Sequence, residues 1–199
     1  MSTDAESILG LAKSRGLLRP LDLVELGLPR VALTRLVRDG ALVRLRRGLY
    51  ALPDRSVSEH VLLAEVARMH ARVIVCLLSA LRFHGLTTQA PFDVWVAIPK
   101  AARVPKASFP PLRIVRFSGD ALTEGVEQHM VDGVSVRITS VAKTVVDCFK
   151  FRNKIGLDVA LEALRDAWMA KRVTMDELWH FAAICRVANV MRPYLESLP

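Results

Sequence analysis

The sequence predicts a mixed α/β (α+β) protein with a small basic N-terminal unit and a larger apolar-cored domain behind it. Three observations carry this. The stretch Pro29–Leu52, PRVALTRLVRDGALVRLRRGLYAL, has a short helical pattern, a glycine stop, and a strand–turn–strand pattern tipped with arginine. Two further helical patterns precede it. From residue 93 onward, strand-like runs give way to helical periodicity that continues to the end of the sequence. Three helices with a tight turn before the third, followed by an arginine-tipped hairpin, are the parts of a winged helix-turn-helix.

Element by element, Ser2 or Thr3 can cap a first helix running to about Lys13, and Thr3 with Glu6 has capping-box spacing. Pro20 opens a second, short helix, LDLVEL, which Gly27 ends. Pro29 suits the first position of the third helix, and Gly40 suits its stop. Val43 and Leu45 then alternate with Arg44 and Arg46, Arg47-Gly48 forms the turn, and Leu49–Leu52 returns. A boundary is expected at Pro53–Ser58, giving a DNA-binding domain over 1–55 and a second domain over 56–199. Behind it come helices over 58–69 and 75–84, strands over 93–98 and 113–117, and a hairpin over 129–139 with Asp132-Gly133 at its turn. Helices are then expected over VAKTVVDCF, Leu157–Ala170, Asp176–Val187 and Met191–Leu198. Thr174 with Glu177 forms another capping box.

The charge of the N-terminal stretch is local. Residues 30–55 hold seven arginines against two acids, a net +5 of the chain's +8. Such a field steers a unit toward polyanions, although a charge run is often only a solvated face. Geometry favours the sharper alternative. On a wheel of 100° per residue, Ala32, Leu33, Leu36 and Val37 share one side, and Val31, Thr34, Arg35 and Arg38 share the other. Arginine suits guanine edges, a hydroxyl suits either strand, and an apolar side chain suits the thymine methyl. Arg30 at the start of the helix, and Arg44, Arg46 and Arg47 on the hairpin, add contacts to phosphate or a minor groove. Double-stranded DNA is the expected partner.

The chain as a whole sets bounds. Its 199 residues, 52% apolar and 24% charged, suit one or two domains with a real core. No apolar run approaches the about 18–20 residues of a membrane span, and the first segment lacks the order of a secretion signal. Cys76, Cys148 and Cys185 are odd in number and far apart, which argues against a disulfide framework or zinc knuckle. They suit buried thiols in a reducing cytoplasm. The five histidines never take a metal-site spacing, and no cofactor is implied.

Over nearly its full length the chain resembles the AbiEi-type antitoxins of AbiE abortive-infection, or type IV toxin–antitoxin, systems. Residues 4–55 look like that family's winged helix, including LVRDGALVRLRRGLYAL. Residues 72–198 look like its C-terminal domain through CLLSALRFHGLTTQAPFDVWVAIP, LRIVRFS, LTEGVE, TSVAKTVVDCFKFRNKIGLDVALEAL and VMRPYLE. The resemblance implies a regulator that binds inverted repeats in its own promoter and represses transcription. It also implies that the C-terminal domain counters a toxin with a nucleotidyltransferase fold, with or without direct contact. The polar cluster Lys143, Asp147, Lys150, Arg152 and Lys154, beside the apolar stripe Val141/Val145/Cys148, is the expected surface for that second role.

An enzyme is not expected. There is no phosphate-binding glycine motif, no H-E-x-x-H and no G-x-S-x-G. Ser79 and His84 point apart on a helix, and His84 suits the helix end. Lys143 and Asp147, four apart, share a face and are expected as a surface or rim ion pair. The alternative function is a stand-alone regulator whose C-terminal domain binds a protein or ligand through basic segments such as Lys100–Lys106 and Lys150–Lys154.

Overall fold

The computed structural model describes residues 3–89, 91–105 and 109–198. Ser2, one of the two expected caps, and Lys106, the end of the expected basic loop, lie outside them. Contacts divide the chain into two compact units. The first runs to Ala71 and includes Met130–Val136; the second holds Arg72–His129 and Arg137 onward.

In the first unit, α1 (Thr3–Arg15), α2 (Pro20–Glu25) and α3 (Val31–Arg38) enclose Ile8, Ala12, Leu18, Leu23, Leu33, Leu36 and Leu42. Each full burial of such a leucine contributes about 1.5–3 kcal/mol. β1 (Val43–Arg46) and β2 (Leu49–Ala51) pair antiparallel, with Arg44 opposite Tyr50 and a register shift before Arg46 meets Leu49. Leu18 and Tyr50 exchange backbone hydrogen bonds of 2.8 and 2.9 Å, which fastens the hairpin to the chain between α1 and α2. This is a winged helix-turn-helix. The unit continues past it into α4 (Val61–Met69).

The second unit is laid out on a mixed sheet. Its elements run β3 (Ile74–Val75), α5 (Leu77–Phe83), β4 (Val94–Pro99), β5 (Leu112–Phe117), α6 (Asp120–Thr123), β6 (Val126–Val131) and β7 (Val134–Thr139), the last two apart from their shared tip, Met130–Val136, which belongs to the first unit. Five helices follow: α7 (Val141–Lys150), α8 (Arg152–Ile155), α9 (Leu157–Met169), α10 (Met175–Ile184) and α11 (Ala188–Leu195). The strand order is β5-β4-β3-β7-β6. β4 is parallel to β5 and antiparallel to β3, and β3 is parallel to β7 through Val75 and Ile138. At the β6–β7 turn Asp132 and Gly133 both take positive φ, 48° and 80°, as a two-residue hairpin turn of the expected kind requires.

One expected element changes. The helix placed over 75–84 begins at Leu77, and Ile74-Val75 form the central strand instead. The run is almost wholly apolar on two sides, so periodicity could not divide strand from helix. α7 packs against α5, α9 and α10, and its Val145, Val146 and Phe149 are fully buried. No helix among the described residues is long and apolar enough to cross a membrane.

Candidate nucleic-acid interface

The turn between α2 and α3 is set by Gly27, at φ 70°, and by the Leu28 amide donating back to the Leu23 carbonyl at 2.8 Å. The Ala32 and Leu33 amides donate to the carbonyls of Pro29 and Arg30, so the proline opens the turn that becomes α3. Leu33 and Leu36 face the core at 2% and 4% exposure, with Ala32 and Val37 half-buried beside them. On the other side Val31, at 70% exposure, stands with exposed Thr34, Arg35 and Arg38, and Arg30 is exposed at the helix start. The expected division of this helix into a packing side and a solvent side is therefore present residue by residue.

The arginines fall into two groups. Arg30, Arg35, Arg44 and Arg47 are exposed and have no acid partner among the described residues. Arg38 is exposed but touches Asp39 at 3.2 Å. Arg46, expected at the wing tip beside phosphate, is turned inward instead: its Nη2 donates to the buried Glu65 carboxylate of α4. Arg55 also reaches Glu65, at 3.9 Å. A second buried acid, Asp22, accepts from the Arg19 amide at 2.6 Å, the Arg19 side chain at 3.2 Å and Arg68 Nη2 at 2.6 Å. Arg15 lies 3.6 Å from the same carboxylate. Arg68 also donates to the Leu17 carbonyl at 3.0 Å, and its burial lowers the guanidinium from its ordinary pKa while Asp22 opposes the shift.

Sequence alone gives little sign of Asp22 and Glu65. Their signals were weak: one acid in the first turn of a short helix, and one acid inside the apolar run VLLAEVARM. Both hold α4 and the wing to the helix-turn-helix. They also leave a smaller, cleaner cationic surface of α3 and the wing than the arginine count suggests.

The polar cluster on α7 and α8 separates by burial. Lys143 and Asp147 are not a surface pair. Their side chains are 1% and 0% exposed, with Nζ donating to both carboxylate oxygens at 2.5 and 2.6 Å. The Lys143 ammonium also sits 4.5 Å from the Phe117 ring centre. Burial pushes the Asp147 carboxyl above its ordinary value, while Lys143 pulls it back. Charge reversal here would place unmatched charge in the core, and the two side chains present no surface of their own to solvent. Lys150 is half-buried and donates to the Cys185 carbonyl at 2.9 Å; Arg152 does the same to Phe149. Lys154 alone of the five is exposed without such a bond.

The remaining chemical candidates are structural. Cys76, Cys148 and Cys185 are buried free thiols. Burial pushes all three up, Cys185 to about 12, which suppresses the reactive thiolate. Ser79 Oγ accepts from the Trp95 amide at 2.9 Å. The His84 ring, expected to serve the end of its own helix, instead reaches the Thr139 carbonyl on β7 at 2.7 Å. No group of three His, Cys, Asp or Glu side chains among the described residues is placed to hold a metal.

Comparison with known proteins agrees with the first unit. Residues 6–53, under half of the chain, match the model of a family described as "Transcriptional regulator, AbiEi antitoxin". The fold is similar to that of the RV2827C protein from Mycobacterium tuberculosis in its crystal structure. The TM-score is 0.60 at 20% identity, over 92% of this chain and 72% of that one. No curated protein matches the sequence.

Proposed function

We propose that the chain is an antitoxin and autoregulator. It binds inverted repeats in its own promoter through α3 and the wing, represses transcription, and counteracts a nucleotidyltransferase-type toxin. The observation that carries the DNA-binding half is the α3 surface, where Val31, Thr34, Arg35 and Arg38 face solvent opposite a buried leucine stripe. The antitoxin half rests on the match of residues 6–53 and on the sequence resemblance beyond them. Protection would use the second domain, with Lys154 and the half-buried Lys150 and Arg152 as its contact residues. No catalysis is required of the chain, and the cytoplasm is its place of action.

A gel shift on the chain's own upstream region tests this, with a scrambled duplex as control. Arg35→Ala should weaken operator binding by about 1–3 kcal/mol if it makes a bidentate base contact. The scrambled duplex should be nearly unaffected. Equal loss on both duplexes would make Arg35 a phosphate contact. Absence of any preference for the upstream region would remove the autoregulatory role. For the second half, if a neighbouring gene encodes a nucleotidyltransferase toxin, cells expressing it should survive with the full chain, and less well with Lys154→Glu. Survival unaffected by that change would exclude this surface.

A further inference from the structure

The second unit contains a cleft of about 720 Å3 at the start of β4 and β5, bordered by Lys154 of α8. That volume lies within the about 300–1,000 Å3 typical of small-molecule sites. Its lining includes Phe92, Asp93, Trp95, Arg113, Ile114 and Lys154. Phe92 is 74% exposed, and its ring is steadied edge-on by Phe109 at a centroid distance of 6.2 Å. Trp95 is half-buried. Arg113 Nε donates to Asp93 Oδ2 at 2.5 Å, so those two charges largely answer each other. Lys154 has no acid partner among the described residues; its ammonium stands 5.7 Å from the Phe151 ring.

Three features therefore meet in one space: an exposed Phe92 ring beside the half-buried Trp95, an unmatched ammonium, and a carboxylate with acceptor capacity left over. We infer that this cleft binds a nucleotide. The base lies against Phe92 and Trp95, the phosphate meets Lys154, and an amino or ribose hydroxyl group donates to Asp93. A wholly apolar ligand would strip water from Lys154 and Asp93 and return nothing. A bare anion would leave the aromatic faces wet and would meet Asp93. A free mononucleotide and an unpaired nucleotide of an RNA present the same chemistry. The site shares no residue with the α3 surface but shares Lys154 with the surface proposed for protection; binding measured on the purified chain is read independently of both promoter binding and protection.

The test is calorimetric titration of the full chain with AMP, GMP, CMP, UMP, adenosine and inorganic phosphate. At least one mononucleotide should saturate. Lys154→Ala should weaken that nucleotide about tenfold or more through loss of a charge-assisted hydrogen bond, and leave adenosine unchanged. Phe92→Ala should weaken nucleotide and nucleoside alike by about fivefold or more. Phe92→Leu, which keeps apolar bulk without the ring, should resemble the alanine variant, and unchanged melting temperatures certify the fold. A fluorescein-labelled single-stranded rA12 distinguishes the sources. It is measured in an Arg35→Ala/Arg44→Ala background so that the basic first unit does not hold it. Displacement of the RNA by AMP assigns the site to RNA, and AMP binding indifferent to the RNA assigns it to the free nucleotide. The inference fails if neither nucleotides nor RNA bind at millimolar concentration. It also fails if phosphate binds as well as AMP, or if binding survives both Phe92→Ala and Lys154→Ala.

Discussion

Lys143 and Asp147 form a complete ion pair inside the second unit, and nothing polar beyond Cys185 Sγ, 3.4 Å from Asp147 Oδ1, supports the carboxylate in the hydrogen bonds described. Removing one partner leaves the other charged and dry. Lys143→Met or Asp147→Asn should therefore lower unfolding stability by about 3–5 kcal/mol, measured in urea. The paired change Lys143→Met/Asp147→Leu should recover most of that loss, because apolar side chains of similar volume do not have to be desolvated. Singles without effect would mean the pair contributes little to the fold. His84 makes a pH argument at the same scale. Its ring nitrogen donates to the Thr139 carbonyl, and burial lowers its pKa below 6.5 in the folded state. Arg172 and His129 lower it further, with Glu127 and the Thr139 bond opposing. The unfolded chain then binds the extra proton more readily, so stability is fully present above pH 6.5 and is lost as pH falls through the folded pKa. Urea midpoints measured across that window should slope for the native chain and slope less for His84→Gln, with His70, whose pKa burial also lowers, supplying the remainder. Equal slopes would exclude His84 as the source.

Among elements, α4 is the one whose role the sequence concealed. It lies beyond the hairpin, where a boundary at 55/56 was expected, yet Glu65 and Arg68 tie it to the wing and to Asp22 in the first unit. Glu65→Ala should cost about 1–3 kcal/mol by removing the buried carboxylate that Arg46 and Arg55 share. It should also weaken duplex binding without changing which sequence is preferred, because the wing is loosened while α3 is not. Anisotropy titrations on operator and scrambled duplexes check this; a change confined to the operator would place Glu65 in base recognition. The elements that were legible are those with periodicity or turn chemistry of their own. The α3 stripe, the Asp132-Gly133 turn and the Thr174 capping box, whose hydroxyl accepts from the Glu177 amide at 3.2 Å, all speak through local residues. β3 is only two residues long and pairs on both sides with distant strands, so nothing local distinguishes it from the helix that follows. Gly125 is similar. A Cβ there would come within 2.8 Å of Lys143 Cβ and the Phe181 ring, a close approach visible only once the helices are packed.

Across the whole molecule, the net charge of +8 says that a polyanion is favoured but not which cations meet it. The local excess in residues 30–55 counts Arg46 and Arg55 among its seven arginines. The acid that engages both, Glu65, lies outside that stretch, so no window on the sequence could subtract it. Salt dependence can make the subtraction experimentally. Each phosphate neutralised contributes about 0.9 to the slope of log affinity against log salt. Arg44 and Arg47 are exposed on the wing, whereas Arg46 is held by Glu65. Arg44→Ala/Arg47→Ala should therefore lower the slope by about 1.8 on operator and scrambled duplex alike, with melting nearly unchanged. Arg46→Ala should do the reverse, moving the melting temperature while leaving the slope within error. If Arg46→Ala lowers the slope by about one and Arg44→Ala/Arg47→Ala does not, the wing meets DNA through the arginine that the isolated chain keeps folded against α4. Binding would then have to break the Arg46–Glu65 contact, and Glu65→Ala would strengthen duplex affinity rather than weaken it.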